Sequence, residues 1–317
     1  MDQVLDSLRA AADPTRLRIL LLLETGELTV SELVTILGQS QPRISRHLKV
    51  LVDAGLLSRF REGSWVFHRL SSEGSGASRA RQIVSLIPLD DPLRGQDALH
   101  LKEIELTRSQ AAEAYFAKCA PEWDRLRQLD VDEEAVADAV REMLPLNKSQ
   151  RLLDLGAGTG RMLQVLGPDV GEALGVDSSH EMLAVARANL KTWGLENCQL
   201  RQADILTLPL AYGRFDAIVI HQVLHFLDRP WVALGEAARL LEPTGRLLIV
   251  DLGTHEMEDL REHHAHRRLG FGDDELREWL ADQGLTCETI RHLSASGRPG
   301  ALGVTIWVAR RAAQPAI

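Results

Sequence analysis

From Arg151 onward the chain alternates short, nearly continuous runs of Leu, Ile and Val with longer stretches of helical periodicity. The runs are RLLDLG, ALGVD, CQLRQAD, FDAIVIH, GRLLIVDLG and GVTIWVARR. Apolar runs of this length predict strands covered on both faces, and their spacing by helical segments predicts βαβ units and a parallel sheet. The first hundred residues read differently. Asp13-Pro14-Thr15-Arg16 is a helix start, with Leu17, Leu20 and Leu21 following at helical spacing. Thr29 is placed to cap a helix over Val30–Leu37, with Gly38 as its stop. Ser40 is placed to cap a third helix, with Pro42 in its first turn. On that helix Ile44, Leu48 and Leu51 form one apolar stripe, while Gln41, Arg43, Ser45, Arg46 and Lys49 fall mostly off it. The segment SRFREGSWVFHRL alternates about Glu62-Gly63, a hairpin signal flanked by Arg59, Arg61 and Arg69. Residues 71–77 (SSEGSGA) predict a loop, 78–87 a helix, and 88–95 (PLDDPLRG) a break. Residues 96–144 resume a helical pattern that Pro121 interrupts. These shifts divide the chain into 1–95, a helical connector over 96–144, and an α/β domain over 145–317.

Composition narrows the function classes. A length of 317 residues leaves room for about two domains, and 45% hydrophobic with 26% charged residues is ordinary globular usage. No apolar run approaches the roughly 18–20 residues that span a bilayer, and the N-terminus lacks a charged-then-apolar leader pattern. A cytoplasmic protein without a membrane partner is expected. Cys119, Cys198 and Cys287 are far apart and odd in number, which excludes a disulfide framework and any CxxC motif. The net charge of −9 is unevenly spread: residues 1–100 carry 12 basic and 12 acidic side chains, and 101–317 carry 24 and 33. Within 31–70 six basic residues face three acidic ones. A local basic patch is the footprint that matters for phosphate contacts, which act within about a Debye length.

A helix, a short turn and a second helix showing Gln, Arg, Ser and Arg suit reading of the major groove, since Arg pairs bidentately with guanine and Gln with adenine. The stretch from ADPTRLRILLLL through GELTVSELVTILGQSQPRISRHLKVLVDAGLLSRFREGSWVFHRL resembles the ArsR/SmtB family of winged helix-turn-helix repressors. The resemblance covers about residues 1–90. It implies a homodimer held by the first helix and the helix after the wing, and a double-stranded DNA operator. Gln41, Arg43, Ser45, Arg46 and Lys49 would read bases or phosphates, and Arg59, Arg61 and Arg69 would touch phosphates or the minor groove from the wing. Metal-sensing members carry Cys-x-Cys where this chain reads Glu27-Leu28-Thr29-Val30-Ser31-Glu32, or ligands where it reads Ser78-Arg79-Ala80-Arg81-Gln82-Ile83. Neither metal site is therefore expected. His47, at the edge of the apolar stripe, reads as a packed side chain.

In the second half, Leu152-Leu153-Asp154-Leu155-Gly156-Ala157-Gly158-Thr159-Gly160 is a strand running into a glycine-rich turn. Ala173-Leu174-Gly175-Val176-Asp177 ends a second strand in a carboxylate, positioned to bind ribose hydroxyls. Gln202-Ala203-Asp204-Ile205 ends a third in an acid beside an apolar residue, and Glu242-Pro243-Thr244-Gly245 reads as a turn into a fifth strand. Together these resemble the class I S-adenosylmethionine-dependent methyltransferases, with their Rossmann-like fold, over about residues 110–310. The resemblance implies S-adenosylmethionine or S-adenosylhomocysteine as cofactor. Asp154, Gly156, Ala157, Gly158 and Gly160 would line its methionine part. Asp177 with Ser178 would hold ribose, Met182 would pack on adenine, and Asp204 and Ile205 would hold the adenine edge. Thr244 stands where the family usually has glycine. An NAD-dependent dehydrogenase is the competing class, but no nicotinamide-binding half is evident.

The acceptor side is carried by His221-Gln222-Val223-Leu224-His225. His221 or His225 would deprotonate an acceptor, or His221 would only position the sulfonium ligand. The motifs of amino-group and cytosine-C5 DNA methyltransferases are absent, so a small-molecule acceptor is expected. Asp259, His263 and His266 fall at i, i+4 and i+7 on one face of a helical run, which suits either a divalent cation or a solvated face. No metal site is assigned. No cysteine lies near the glycine turn, so arsenite methylation is not expected. Two functions follow: a regulator that senses the nucleotide, or a working methyltransferase with an independent DNA-binding domain.

Overall fold

The computed structural model describes residues 2–24, 26–62, 65–71, 74–120, 133–209, 212–293 and 302–312. The chain divides into two compact units, residues 1–110 and 111–317.

The first unit opens with helices α1 (Asp2–Ala11) and α2 (Pro14–Leu22), strand β1 (Leu28–Thr29), and helices α3 (Val30–Leu37) and α4 (Gln41–Asp53). A hairpin of β2 (Leu57–Glu62) and β3 (Trp65–Leu70), helix α5 (Gly74–Ser85) and the first part of α6 (Pro92–Cys119) complete it. Asp13 caps α2 by accepting from the Arg16 N–H at 3.1 Å. Thr29 and Glu32 form a reciprocal capping box on α3, and Gly38 ends that helix at φ +63°. Ser40 sits at the N-cap of α4, but its side chain makes no capping bond. Ile44, Leu48 and Leu51 are buried against Ile19, Leu20 and Leu33, as their spacing requires. The small sheet runs β1-β3-β2, and the hairpin pairs Glu62 with Trp65. The strands thus run one residue past the expected reversal at Glu62-Gly63; Gly63 lies outside the described residues.

Helix α5 starts at Gly74, inside the stretch expected to be a loop. The reason is tertiary. A Cβ on Gly76 would sit 2.1 Å from the Gly55 carbonyl oxygen, so only glycine permits this approach. Helix α6 starts at Pro92 and is fixed to α2 and α3. Arg18 donates to both Asp97 carboxylate oxygens at 2.7 and 2.6 Å, His100 Nδ1 lies 3.1 Å from the Ile36 carbonyl, and Arg108 pairs with Glu32.

In the second unit, helix α7 (Glu133–Met143) leads into β4 (Arg151–Leu155), α8 (Arg161–Leu166), β5 (Glu172–Asp177), α9 (His180–Trp193) and β6 (Cys198–Gln202). Then come β7 (Phe215–His221), α10 (Pro230–Leu240), β8 (Leu241–Leu252), α11 (Asp259–His263), α12 (Asp273–Asp282), β9 (Leu285–Leu293) and β10 (Val304–Arg311). Pro121 lies outside the described residues. The sheet order is β6-β5-β4-β7-β8-β10-β9, parallel from β6 through β8, with β10 antiparallel to both neighbours. Alternate residues go to opposite cores. Leu152, Ala217, Val219 and Leu248 join Val136, Leu163 and Leu183 from α7–α9. Leu153, Ile218, Ile220 and Leu247 join Leu234 and Leu280 from α10 and α12. Continuous apolar strands follow from this double coverage.

Two departures have local causes. The expected turn at Glu242-Pro243-Thr244-Gly245 is a bulge within β8. Phe215 pairs with Leu241 and Ala217 with Arg246, so the intervening residues of β8 are looped out of register. Gly245 lies there with Leu241 Cδ1 and the Asp216 carbonyl within 2.9 Å of any added Cβ. Strand β9 is half-exposed at the sheet edge, and its polar alternation lacks the apolar run that marks the other strands. Among the described residues no helix is long and apolar enough to cross a membrane.

Candidate functional site: a glycine turn and a histidine cluster

Strands β4 and β7 are neighbours, yet the chain leaves them toward opposite edges of the sheet. The crevice beyond the carboxyl ends of such a pair is where open α/β sheets bind ligands. The glycine turn follows β4, and Gly156, Gly158 and Gly160 hold φ of +77°, +51° and +92°. The Gly156 and Ala157 N–H groups donate to the Val176 carbonyl at 2.8 and 2.9 Å. A Cβ on Gly156 would lie 2.4 Å from Val223 Cγ2; one on Gly158 would meet nothing within 4 Å.

Asp177, at the end of β5, ties these pieces together. Its Oδ2 accepts from the Gly158 N–H at 2.8 Å and its Oδ1 from the Ser179 N–H at 2.9 Å. Burial pushes this carboxyl above the usual carboxylate range, and the backbone N–H groups of Ser179, Gly158 and Ser178 oppose that rise. Ser179 in turn caps α9 by accepting from the Met182 N–H at 3.1 Å. Met182 and Ile205 are buried, Ser178 and Asp204 exposed, and Asp154 lies buried within β4. Asp204 Oδ1 accepts from the Leu206 N–H at 2.9 Å. The structure thus brings Asp177 and the glycine turn into direct contact, with Asp204 beyond the next strand.

His221 is the buried last residue of β7, and Gln222 follows at φ +52°, in the left-handed region. The Gln222 side-chain Nε2 is buried with no hydrogen-bond partner. His225 lies in a short 3-10 turn, Leu224–Phe226. Its Nδ1 is 2.6 Å from Asp251 Oδ1, and both side chains are buried, at 3% and 0% exposure. Asp251 also accepts the Leu224 N–H at 3.0 Å and the Leu252 N–H at 2.7 Å. The His225 carbonyl accepts the Arg267 and Arg268 N–H groups, which brings the segment after α11 back onto this turn.

That return overturns one expectation. Helix α11 stops at His263, so Asp259, His263 and His266 do not share a helical face. His263 Nδ1 stays beside Asp259 at 2.9 Å on the exposed surface. His266 instead stacks on His225, with ring centroids 4.2 Å apart. Burial and the neighbouring His225 push the His266 imidazole far down, and they bring His255 down to about 4. Phe226 packs on both rings and meets Phe116 edge-on at 4.8 Å, while the Tyr115 hydroxyl lies 2.9 Å from His264 Nδ1. Asp251 was not picked out from the sequence, and His266 was grouped with Asp259 and His263 rather than with His225. One signal was present: Asp251 is a lone acid within an apolar strand, and a buried carboxylate requires a partner. Among the described residues no group of three or more His, Cys, Asp or Glu side chains is arranged to hold a metal ion.

On the first unit, Gln41, Arg43, Ser45, Arg46 and Lys49 are exposed along α4, as are Arg59 and Arg61 on β2. Lys49 pairs with Asp53 at 3.0 Å on that surface. Arg69 is committed elsewhere, paired with Glu27 at 3.5 Å and lying over the Phe60 ring. His47 lies half-buried 3.7 Å from Asp13, and burial lowers its pKa.

Comparison with known proteins agrees with this division. Residues 13–59 match the family described as bacterial regulatory protein, arsR family, and residues 153–249 match the family described as methyltransferase domain. The first segment is similar to the arsenical resistance operon repressor of Escherichia coli K12, 59% identical over 61 residues, covering 19% of this chain and 52% of that one. The second is similar to an uncharacterized methyltransferase, YcgJ, of Bacillus subtilis, 37% identical over 101 residues, covering 32% of this chain and 40% of that one. The chain thus spans 40% and 52% of these two relatives. Among solved structures, the DhpI–SAH complex superposes with a TM-score of 0.50 at 22% identity, over 65% of this chain and 97% of that one. That likeness concerns the fold. The chain joins an ArsR-family helix-turn-helix segment to a methyltransferase domain with the Rossmann-like fold of class I methyltransferases.

Proposed function

We propose that this protein is a cytoplasmic, homodimeric transcriptional regulator. It binds a double-stranded DNA operator and carries a domain that binds S-adenosylmethionine or S-adenosylhomocysteine. That domain senses the nucleotide, methylates a small molecule, or does both. The observation that carries the reading is the Asp177 clamp on the glycine turn at the switch point of the sheet. The carboxylate offers about four lone-pair sites and the backbone N–H groups of Gly158, Ser178 and Ser179 use at most three, which leaves capacity for a ribose hydroxyl. Open space beside Gly158 admits a ligand against the backbone. Met182 and Ile205 supply apolar surface for adenine, and Asp204 an acceptor for its amino group. Asp154, Gly156, Ala157 and Gly160 would border the methionine part. When bound, S-adenosylmethionine supplies a methyl group activated by its sulfonium.

On the DNA side, Arg43 and Arg46 are exposed on a helix whose other face is core. The dimer reading is supported by Val4, Leu5 and Leu8, large apolar side chains left 49%, 43% and 51% exposed on α1. A metalloid acceptor is not proposed: burial raises the Cys287 thiol and pushes Cys198 up to about 11, so neither of these two supplies a thiolate at neutral pH. The second reading, a working methyltransferase independent of the DNA reader, is favoured by one observation, the buried His225–Asp251 pair.

The test uses a duplex selected on the protein from a random pool. Its affinity is measured with saturating S-adenosylmethionine, with saturating S-adenosylhomocysteine and with neither. Sensing predicts a shift of about 5–150-fold with at least one nucleotide, the usual range of coupling between two sites. Three equal affinities remove the sensing reading and leave the enzyme reading. Asp177→Ala, which removes a charged hydrogen-bond acceptor, should weaken nucleotide binding by about 1.5–3 kcal/mol in calorimetry.

A further inference from the structure

We propose that His225, held by Asp251, is the general base of a methyl transfer to the hydroxyl of a planar aromatic acceptor. The inference rests on the nucleotide-binding reading above and deepens it. It assigns the base to His225 rather than His221, and it names an acceptor class.

The geometry supports each part. Asp251 Oδ1 holds His225 Nδ1 at 2.6 Å in a dry environment, which fixes the tautomer that leaves Nε2 to accept a proton. Asp251 is itself fixed by the Leu224 and Leu252 N–H groups, so it is a positioning residue with no freedom to swing away. The residue is delivered to the crevice by the turn after β7, the strand beside the glycine turn.

The walls around His225 are rings. His266 stacks on it at 4.2 Å, Phe226 lies 4.0 Å away, and Phe116 meets Phe226 edge-on at 81°. Aromatic rings favour one another at centroid distances of about 4.5–7 Å, so a cluster of rings about the base favours a planar aromatic acceptor over an aliphatic one. Two polar atoms near this cluster are buried without partners: His266 Nδ1 and His255 Nε2. Buried polar atoms without partners are rare in native folds and point to a ligand or water that satisfies them.

The chemistry selects the acceptor. An aryl amine, unprotonated at neutral pH, attacks with its own lone pair, and a carboxylate is already ionised, so neither needs a buried base before attack. A hydroxyl must lose its proton as it becomes a nucleophile. His225 Nε2 takes that proton while the acceptor oxygen bonds to the methyl carbon of the sulfonium donor. The carbon–sulfur bond breaks with its electron pair going to sulfur, which ends as a neutral thioether. The imidazolium formed on His225 is balanced by Asp251 and then returns its proton to water.

The experiment uses the full chain loaded with S-adenosylhomocysteine and titrated with 4-nitrophenol, at a pH where the free phenol is protonated. Nucleotide affinity is first measured by calorimetry in the wild type, His225→Gln and Asp251→Asn. The proposal expects unchanged nucleotide affinity in both variants. It expects a saturable visible phenolate band in the wild type that falls at least about tenfold in His225→Gln, and partial loss in Asp251→Asn. If Asp251→Asn fails to fold, His225→Gln decides alone. Failure of the wild type to bind S-adenosylhomocysteine overturns the nucleotide reading itself. Nucleotide binding without phenol binding, phenol binding without the band, or an equal band in His225→Gln each overturns the base assignment and leaves the nucleotide reading intact.

Discussion

Replacing Gly156 and Gly158 separately by alanine distinguishes the two uses this turn makes of glycine. Both residues sit at positive φ, +77° and +51°, so each substitution carries the left-handed penalty of about 1–2 kcal/mol. Their surroundings differ. A methyl on Gly156 would lie 2.4 Å from Val223 Cγ2 and 3.0 Å from Cγ1. Val223 is β-branched and stiff at χ1, so it cannot turn aside, and overpacking of this kind costs about 1–3 kcal/mol more. Gly156→Ala should therefore lose about 2–5 kcal/mol in all, a large part of a typical stability of about 5–15 kcal/mol. A methyl on Gly158 meets nothing within 4 Å, so the fold should lose only the backbone penalty. That methyl would instead project into the space proposed for the nucleotide, beside the N–H that binds Asp177. The assay is urea unfolding followed by tryptophan fluorescence, because Trp307 is fully buried in the sheet of this unit. Calorimetric titration with S-adenosylhomocysteine runs alongside. The expected outcome is a crossed pattern: Gly156→Ala unfolds early, while Gly158→Ala unfolds near the wild type but binds nucleotide at least about tenfold more weakly, about 1.4 kcal/mol. Equal unfolding midpoints for the two variants, or wild-type nucleotide affinity in Gly158→Ala, would refute the reasoning.

Three further outcomes are expected. Arg43→Ala or Arg46→Ala should relax base preference in the selected duplex by about 1–3 kcal/mol, whereas Arg61→Ala should weaken all duplexes alike and flatten the salt dependence; gel-shift titration against sequence variants separates the two. Arg18→Ala leaves the Asp97 carboxylate, 4% exposed, without its guanidinium and should destabilise the first unit by about 3–5 kcal/mol, with recovery in Arg18→Met combined with Asp97→Leu, both read by thermal melting. Burial and the Arg59 charge push His68 down to about 4 from 6.5, so the unfolded chain takes up the proton first as pH falls; stability is complete above pH 6.5 and declines toward pH 4, by about 1–2 kcal/mol near pH 5, and His68→Gln should flatten that slope in urea titrations.

What was legible in the sequence was whatever a local pattern determines. The strand runs of the second unit, the capping box at Thr29 and Glu32, and the buried stripe of α4 each depend on residues a few positions apart. Periodicity and capping report such spacings directly. The elements that departed from expectation were set by distant neighbours. Gly74–Ala77 reads as a loop by composition and folds as helix, and the glycine at 76 is there because the helix packs within reach of the Gly55 carbonyl. Glu242–Gly245 reads as a turn and folds as a bulge because Leu241 already pairs with Phe215.

The candidate site divides along the same line. The glycine turn and Asp177 stand out because tight backbone approach demands glycine and strand ends present carboxylates at a regular spacing. The histidine cluster did not stand out as a unit, because its members come from the turn after β7, the end of β8 and the segment after α11. Helical spacing even pointed the wrong way, grouping His266 with Asp259 and His263. The stronger signal was energetic. A carboxylate in an apolar strand such as GRLLIVDLG must be neutralised, paired or multiply hydrogen-bonded to be tolerated. Asp251 is paired and also receives two backbone N–H groups. The candidate partner in the sequence is a titratable side chain after the adjacent parallel strand, and His225 stands there. A lone acid in a buried strand is therefore a reason to search the loop after the neighbouring strand for a base, before any helical spacing of histidines is given weight.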